Sequence, residues 1–263
     1  MAGVTPGAER FDAVPARPGR LAFLGLRAAA TPLSPRRGAG GAGFPLLAAA
    51  VAARYAPCGR AARGYVAGKL RYDPVHRAVL TLAGGAAFGA VVDLGCGRGQ
   101  LGVALLLAGR ASSVLGIDLP GMRLGQAARA GGALGLSTMA CDLAGISAAP
   151  AADTVLLIDV LYQLPTASQL ALLAAAAQAA RALVLVRTLD PARGLRSRLT
   201  VGLEHAWRRV SAHAGAMVNP RPLAELTGVL EAAGFAVTVA PCWQGTPFAN
   251  VLLTARRTHA PLL

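Results

Sequence analysis

The stretch VVDLGCGRGQLG at residues 91–102 ends a short apolar run with Asp93 and passes at once into closely spaced glycines. Gly97, Gly99 and Gly102 fit the G-x-G-x-x-G spacing, which lets bare backbone approach a ligand where a strand turns into a helix. That spacing also describes dinucleotide sites, but Asp93 argues for a different ligand. A fixed carboxylate repels a pyrophosphate and suits a molecule carrying an ammonium and a sulfonium. Three more aspartates close later apolar runs: Asp118 in GIDL, Asp142 in CDL and Asp159 in DTVLLIDVL. The two oxygens of Asp118 match a vicinal ribose diol, and Asp142 can accept an adenine amino hydrogen. The competing structural reading makes Asp118 and Asp142 ordinary turn or cap residues. Cys96 is read as a small residue that fits the turn.

The elements that must carry these acids alternate. Residues 90–94, 113–119, 137–143, 153–161 and 181–188 read as apolar strands, and residues 100–109, 121–134 and 166–180 as helices between them. Strand-helix-strand at these intervals implies right-handed crossovers and a parallel sheet covered on both faces. Ligands of such α/β sheets lie beyond the carboxyl ends of the strands, so four acids on four successive strands are expected to meet one ligand. A helix at 221–234 follows, then strands at 235–241 and 247–257. The short Trp-Gln-Gly-Thr linker leaves no room for a helical crossover, so this last pair is expected to be antiparallel.

Residues 1–43 are rich in Pro, Gly, Ala and Arg and are expected to be a disordered extension. Residues 44–73 read as an N-terminal helical segment broken at Pro57, with Arg60, Arg63, Lys69 and Arg71 clustered in it. Asp73-Pro74 reads as the cap and first residue of a new helix. The main domain is expected at 74–257, with a lid-like insert at 190–218 and a tail at 258–263. The net charge is +14, concentrated before residue 72 and after residue 181. Four scattered cysteines without a C-x-x-C pair give no expectation of a metal site or disulfide framework and fit a cytoplasmic setting. No apolar run reaches the roughly 18–20 residues that cross a bilayer.

Together, Asp93-Leu-Gly-Cys-Gly-Arg-Gly-Gln-Leu-Gly102, GIDL, CDL and DTVLLIDVLYQLP resemble the successive motifs of class I S-adenosylmethionine-dependent methyltransferases over about residues 74–257. The resemblance implies a Rossmann-like seven-stranded sheet with its last strand antiparallel and helices on both faces. It implies S-adenosyl-L-methionine as cofactor, with Gly95, Gly97 and Gly99 passing its methionine part. Asp118 with Leu119 would hold the ribose, Asp142 with Leu143 would flank the adenine, and Asp93 and Asp159 would complete the contacts. Segments 68–76 and 235–253 are similar to bacterial methyltransferases encoded with aryl polyene and fatty-acid-type synthesis genes.

That second similarity implies a small or carrier-bound acceptor, such as a hydroxyaryl ring or acyl intermediate, with an acidic carrier protein at the basic flanks. Methyl transfer from a sulfonium needs mainly alignment, and a base only if the acceptor must lose a proton. Tyr162, His205 and His213 are the candidate bases, and Trp207 a candidate wall for a ring. Nucleic acid is the disfavoured acceptor, because Asp159-Val-Leu-Tyr162 lacks the Pro-Pro-aromatic run of exocyclic-amine methylation. A non-catalytic scaffold with the same fold is the remaining alternative.

Overall fold

The computed structural model describes residues 43–194 and 218–258. The chain divides into two compact units, Met1–Thr31 and Pro32–Leu263; the first lies wholly outside the described residues. Seven strands form one sheet: β1 (Ala90–Leu94), β2 (Ser113–Asp118), β3 (Leu136–Ala140), β4 (Ala152–Ile158), β5 (Ala180–Leu189), β6 (Phe235–Pro241) and β7 (Asn250–Arg257). Their order is β3-β2-β1-β4-β5-β7-β6. β1 to β5 run parallel, and β7 lies antiparallel to both β5 and β6. The sheet is therefore the expected one, and its order reverses between β1 and β4, where a doubly wound sheet opens a crevice.

Side chains alternate across the strands, so each apolar run feeds two cores. Val91, Leu156, Leu183 and Leu185 face one core, built with α1 (Gly43–Arg54), α2 (Arg60–Tyr72), α3 (Pro74–Gly85), α4 (Gln100–Leu107) and α5 (Met122–Gly131). Val92, Leu94, Val155, Leu157, Val184 and Val186 face the other, built with α6 (Thr166–Ala179) and α7 (Leu223–Ala232). Leu94, Leu156 and Leu157 are fully buried, each worth about 1.5–3 kcal/mol in burial.

The N-terminal helical segment packs into the same core as the strands. Phe44, Val51, Tyr55, Val66 and Leu70 all join the first cluster. Pro57 sits in a 3₁₀ turn, Ala56–Cys58, between α1 and α2. Asp73 caps α3 as expected, accepting the Val75 N–H at 3.2 Å, with Pro74 at the first helical position.

Three strand boundaries differ from the sequence reading by three residues. β3 ends at Ala140, because Asp142 accepts the Ala144 N–H at 2.9 Å and starts a 3₁₀ turn, Leu143–Gly145. β4 ends at Ile158, and Asp159 leaves it in a left-handed conformation with φ +59°. β7 begins at Asn250, so the linker from β6 spans 242–249 and is longer than Trp-Gln-Gly-Thr; it is folded by a turn in which Thr246 N–H donates to the Trp243 carbonyl. Of the insert at 190–218, residues 195–217 lie outside the described residues, and His205, Trp207 and His213 with them. So do the tail beyond Thr258 and all of 1–42. No helix of the described residues is long and apolar enough to cross a membrane.

Candidate functional site

A cleft of about 770 Å³ opens at the carboxyl ends of β1, β2 and β4. It has two walls of different chemistry. One is formed by Asp93, Gly95, Cys96, Gly97, Asp118, Leu119, Met122, Asp142 and Leu143. The glycine turn shapes this wall: Gly95, Gly97 and Gly99 all have positive φ, which L side chains adopt at a cost. Gly95 N–H and Cys96 N–H both donate to the Ile117 carbonyl, tying the turn to β2. A Cβ on Gly97 would meet no protein atom within 4 Å and would stand in the cleft.

Gly99 does something else. It caps α4 and is not among the lining residues; a Cβ there would come within 2.8 Å of the Ala127 Cβ. Its role in the structure is close packing of α4 against α5.

Asp118 holds the turn from the side, accepting the Gly97 N–H at 2.6 Å and the Leu119 N–H at 2.7 Å. Asp93 is 3% exposed, and no described residue donates to its carboxylate. Burial and then the neighbouring Asp118 push its carboxyl up to about 7. A buried acid beside a second acid, with no cation among the described residues to answer it, matches a cationic ligand group. Leu119 and Met122 are largely exposed apolar side chains at the same wall, suited to covering a flat ring. Asp142 is exposed and serves as the cap the sequence left open, while Leu143 behind it is buried. Cys96 is buried with its sulfur against Gly116, where an added Cβ would lie 2.7 Å from it. Burial pushes its thiol far up, so it is an inert packing group.

Of the second wall, only Asp159 was legible as a site residue in the sequence. The wall consists of Tyr65, Lys69, Asp73 and His76 from α2, the cap and α3, with Asp159, Val160 and Gln163 after β4. Behind it Arg187 of β5, 3% exposed, bonds Asp159 at 2.6 Å and Asp73 at 3.0 Å. Lys69 closes the chain of charges on Asp73 at 2.9 Å. Burial pushes the Asp73 carboxyl up, but Arg187 and Lys69 outweigh it and hold it well below the usual range. At Asp159 burial outweighs the same cations, and the carboxyl ends above its ordinary value. Burial lowers His76 to about 4; Asp73 opposes this, and Lys69 and Arg187 reinforce it, so the ring is neutral at pH 7. Three atoms of this group are buried without a hydrogen-bond partner: His76 Nδ1, Asp159 Oδ1 and Arg187 Nε.

Asp159 therefore lines the cleft, and its neighbour Val160 stands against the glycine turn, 2.7 Å from where a Cβ on Gly95 would lie. Tyr162 is not among the lining residues; it is 4% exposed and packs with Leu189 and Val218. Tyr55, unremarked in the sequence, donates its hydroxyl to the Arg98 carbonyl at 2.6 Å and so braces the glycine turn from α1. Arg98 in turn stacks over Tyr65 at 4.8 Å and bonds Gln126.

Residues 63–239 match the protein family described as "Methyltransferase domain". Among solved structures, magnesium protoporphyrin IX methyltransferase from Synechocystis PCC 6803, with bound SAH, is similar at 22% identity and TM-score 0.53, over 72% of this chain and 86% of that one. The N-methyltransferase NodS from Bradyrhizobium japonicum WM9, also with SAH, is similar at 15% identity and TM-score 0.53, over 70% and 86%. An O-methyltransferase family protein from Burkholderia thailandensis is similar at 19% and 0.53, over 73% and 60%. At these identities the likeness to the solved structures is one of fold. No curated protein matches the sequence.

Proposed function

This chain belongs to the methyltransferase-domain family and is an S-adenosylmethionine-dependent methyltransferase, and we propose that it methylates a small or carrier-bound molecule held against the Lys69–Asp159 wall. The observation that carries this reading is Asp93: a buried carboxylate without a partner among the described residues, at the mouth of a glycine turn. It would bind the ammonium of the cofactor's methionine part, with the Gly95 and Gly97 backbone alongside. Asp118 would take the ribose hydroxyls, and Leu119, Met122, Asp142 and Leu143 would surround the adenine. Bound there, S-adenosylmethionine supplies an electrophilic methyl group on a sulfonium.

The protein's part is to align that group with the acceptor and keep water out. The solved structures of similar fold include enzymes named for a porphyrin and for O- and N-methylation, which supports a small-molecule acceptor without choosing one. A hydroxyaryl or acyl intermediate on an acidic carrier protein is the finer form of the proposal. It is supported by Arg71, Arg77 and Arg256, which line a groove of about 690 Å³ beside α3 and have no carboxylate partner among the described residues. The test is transfer of a labelled methyl group into a fractionated extract of the source cells, followed by mass spectrometry of the labelled product. Label in a small molecule or on a carrier-bound arm supports the reading. Label in RNA or DNA overturns it.

A further inference from the structure

The part of the cleft lined by Lys69, Asp73, His76 and Asp159 carries more polar chemistry than sheet architecture requires. An Asp–Arg pair could tether α3 to the sheet by itself. Here a lysine, a second aspartate and a histidine join it, and three buried polar atoms are left without partners. Unanswered polar atoms in a native interior call for a ligand or a catalytic role. Asp159 is the member best placed to act. Its Oδ2 is fixed by Arg187 at 2.6 Å, its Oδ1 is buried without a partner, and the side chain as a whole keeps 21% exposure and lines the cleft. It is also the one non-glycine among the described residues with positive φ. Such backbone costs on the order of 1–3 kcal/mol and persists where the surroundings over-determine it.

We infer that Asp159 accepts the proton of the methyl acceptor and that Arg187, itself oriented by Asp73, is the residue that positions it. This rests on the proposed methyl-transfer reading, and it moves Asp159 from the cofactor's contacts to the acceptor's. The step balances as follows. The acceptor's O–H or N–H bond breaks and its proton goes to the Asp159 carboxylate. The electron pair left on oxygen or nitrogen forms the bond to the methyl carbon. The carbon–sulfur bond breaks toward sulfur, which leaves as a neutral thioether. The proton on Asp159 then passes to water through the open cleft. The charged and titratable groups facing Asp159 are Arg187 of β5, Lys69 of α2, Asp73 at the start of α3, and Cys242 in the β6–β7 linker. Burial raises Asp159 toward the range in which a carboxylate can take a proton, and Arg187 and Lys69 oppose that rise.

The test compares the full chain with Asp159→Asn. Asparagine tolerates positive φ and still accepts from Arg187, so the turn survives. Two readouts are taken: titration calorimetry with S-adenosylhomocysteine, and the rate of labelled-methyl transfer into the extract fraction that the wild type labels, from pH 5 to 9. The expected result is homocysteine-adduct affinity within threefold of wild type and transfer slowed at least 100-fold. The wild-type rate should reach a plateau as Asp159 ionises, whereas the residual rate of the variant should keep climbing with the acceptor's own ionisation. Unchanged transfer by Asp159→Asn, or an unchanged pH profile, overturns the inference. Loss of S-adenosylhomocysteine binding in the variant also overturns it, by returning Asp159 to the cofactor. A wild type that binds no S-adenosylhomocysteine, or transfers nothing, overturns the underlying reading and this inference with it.

Discussion

The Asp118 carboxylate accepts the Gly97 N–H at 2.6 Å, so the acid at the end of β2 holds the turn that follows β1. One side chain thus shapes the backbone cradle and faces the cleft beside it. Asp118→Ala should weaken S-adenosylhomocysteine binding by at least 30-fold, by removing both the ribose acceptor and the brace on Gly97. Asp118→Asn should be intermediate, since it keeps one acceptor. Calorimetric titration of the two variants measures this, and equal affinity in all three proteins would assign Asp118 to the turn alone.

Asp93 sets a pH dependence. Its carboxyl is raised to about 7 by burial and by Asp118. A raised carboxyl contributes stability that is fully present below the unfolded value near 4 and is lost as pH rises through about 7. The free protein therefore bears the cost of an ionised Asp93 at high pH, which a bound ammonium offsets. Affinity for S-adenosylhomocysteine should fall about tenfold for each pH unit below about 7, as the ionised fraction declines. The same titration on Asp93→Asn should be weak and flat over pH 5.5–8.5.

His76 has the opposite sign. Its folded value is depressed to about 4, so its contribution is present above the unfolded value near 6.5 and is lost as pH falls through about 4. Wild type should lose up to about 3 kcal/mol from this group on acidification across that window. His76→Gln removes it, and chemical denaturation at pH 7.5 and pH 4.5 should show a smaller difference for the variant than for wild type.

The two outer glycines of the G-x-G pair should separate cleanly. Gly99→Ala forces a Cβ to 2.8 Å from Ala127 at φ +71° and should cost about 2–4 kcal/mol of stability by strain and overpacking. Gly97→Ala meets no protein atom within 4 Å, so its stability cost should be near the backbone penalty of about 1 kcal/mol. Its cofactor affinity should nevertheless drop, because the methyl projects into the cleft. Denaturation midpoints and S-adenosylhomocysteine titration of both variants check the contrast.

Arg187→Met should be among the most destabilising single changes. Arg187 is 3% exposed and answers both Asp73 and Asp159. Its loss leaves two carboxylates without their buried cation, at a cost of about 3–5 kcal/mol. The added substitution Asp73→Asn should recover part of that loss, measured by thermal denaturation.

The sheet was legible because β1, β4 and β5 are apolar runs buried along most of their length, and an aspartate lies in or within two residues after each of β1 to β4. Val91–Leu94 and Asp153–Ile158 announce themselves by apolar continuity alone. Asp118 and Asp93 were readable as partners because consecutive strands of such a sheet bring their ends together. The cluster around Arg187 was not readable beyond Asp159. Arg187 and Asp73 lie 114 residues apart, and neither periodicity nor a motif joins them. Arg187 lies in RALVLVRT, a run that reads as a strand, Lys69 is one of a basic cluster, and nothing in the sequence singles out His76. Asp142 carries both readings the sequence offered, since it lines the cleft and also caps the turn after its strand. Gly99 looked like cradle from its spacing, yet its missing Cβ serves α5.

The most direct test of the whole account is a titration of the wild-type chain with S-adenosylhomocysteine alone, run beside a nicotinamide dinucleotide. The expected result is saturable binding at one site per chain in the micromolar range and no heat from the dinucleotide. Failure of S-adenosylhomocysteine to bind, or saturable binding of the dinucleotide in its place, would contradict it.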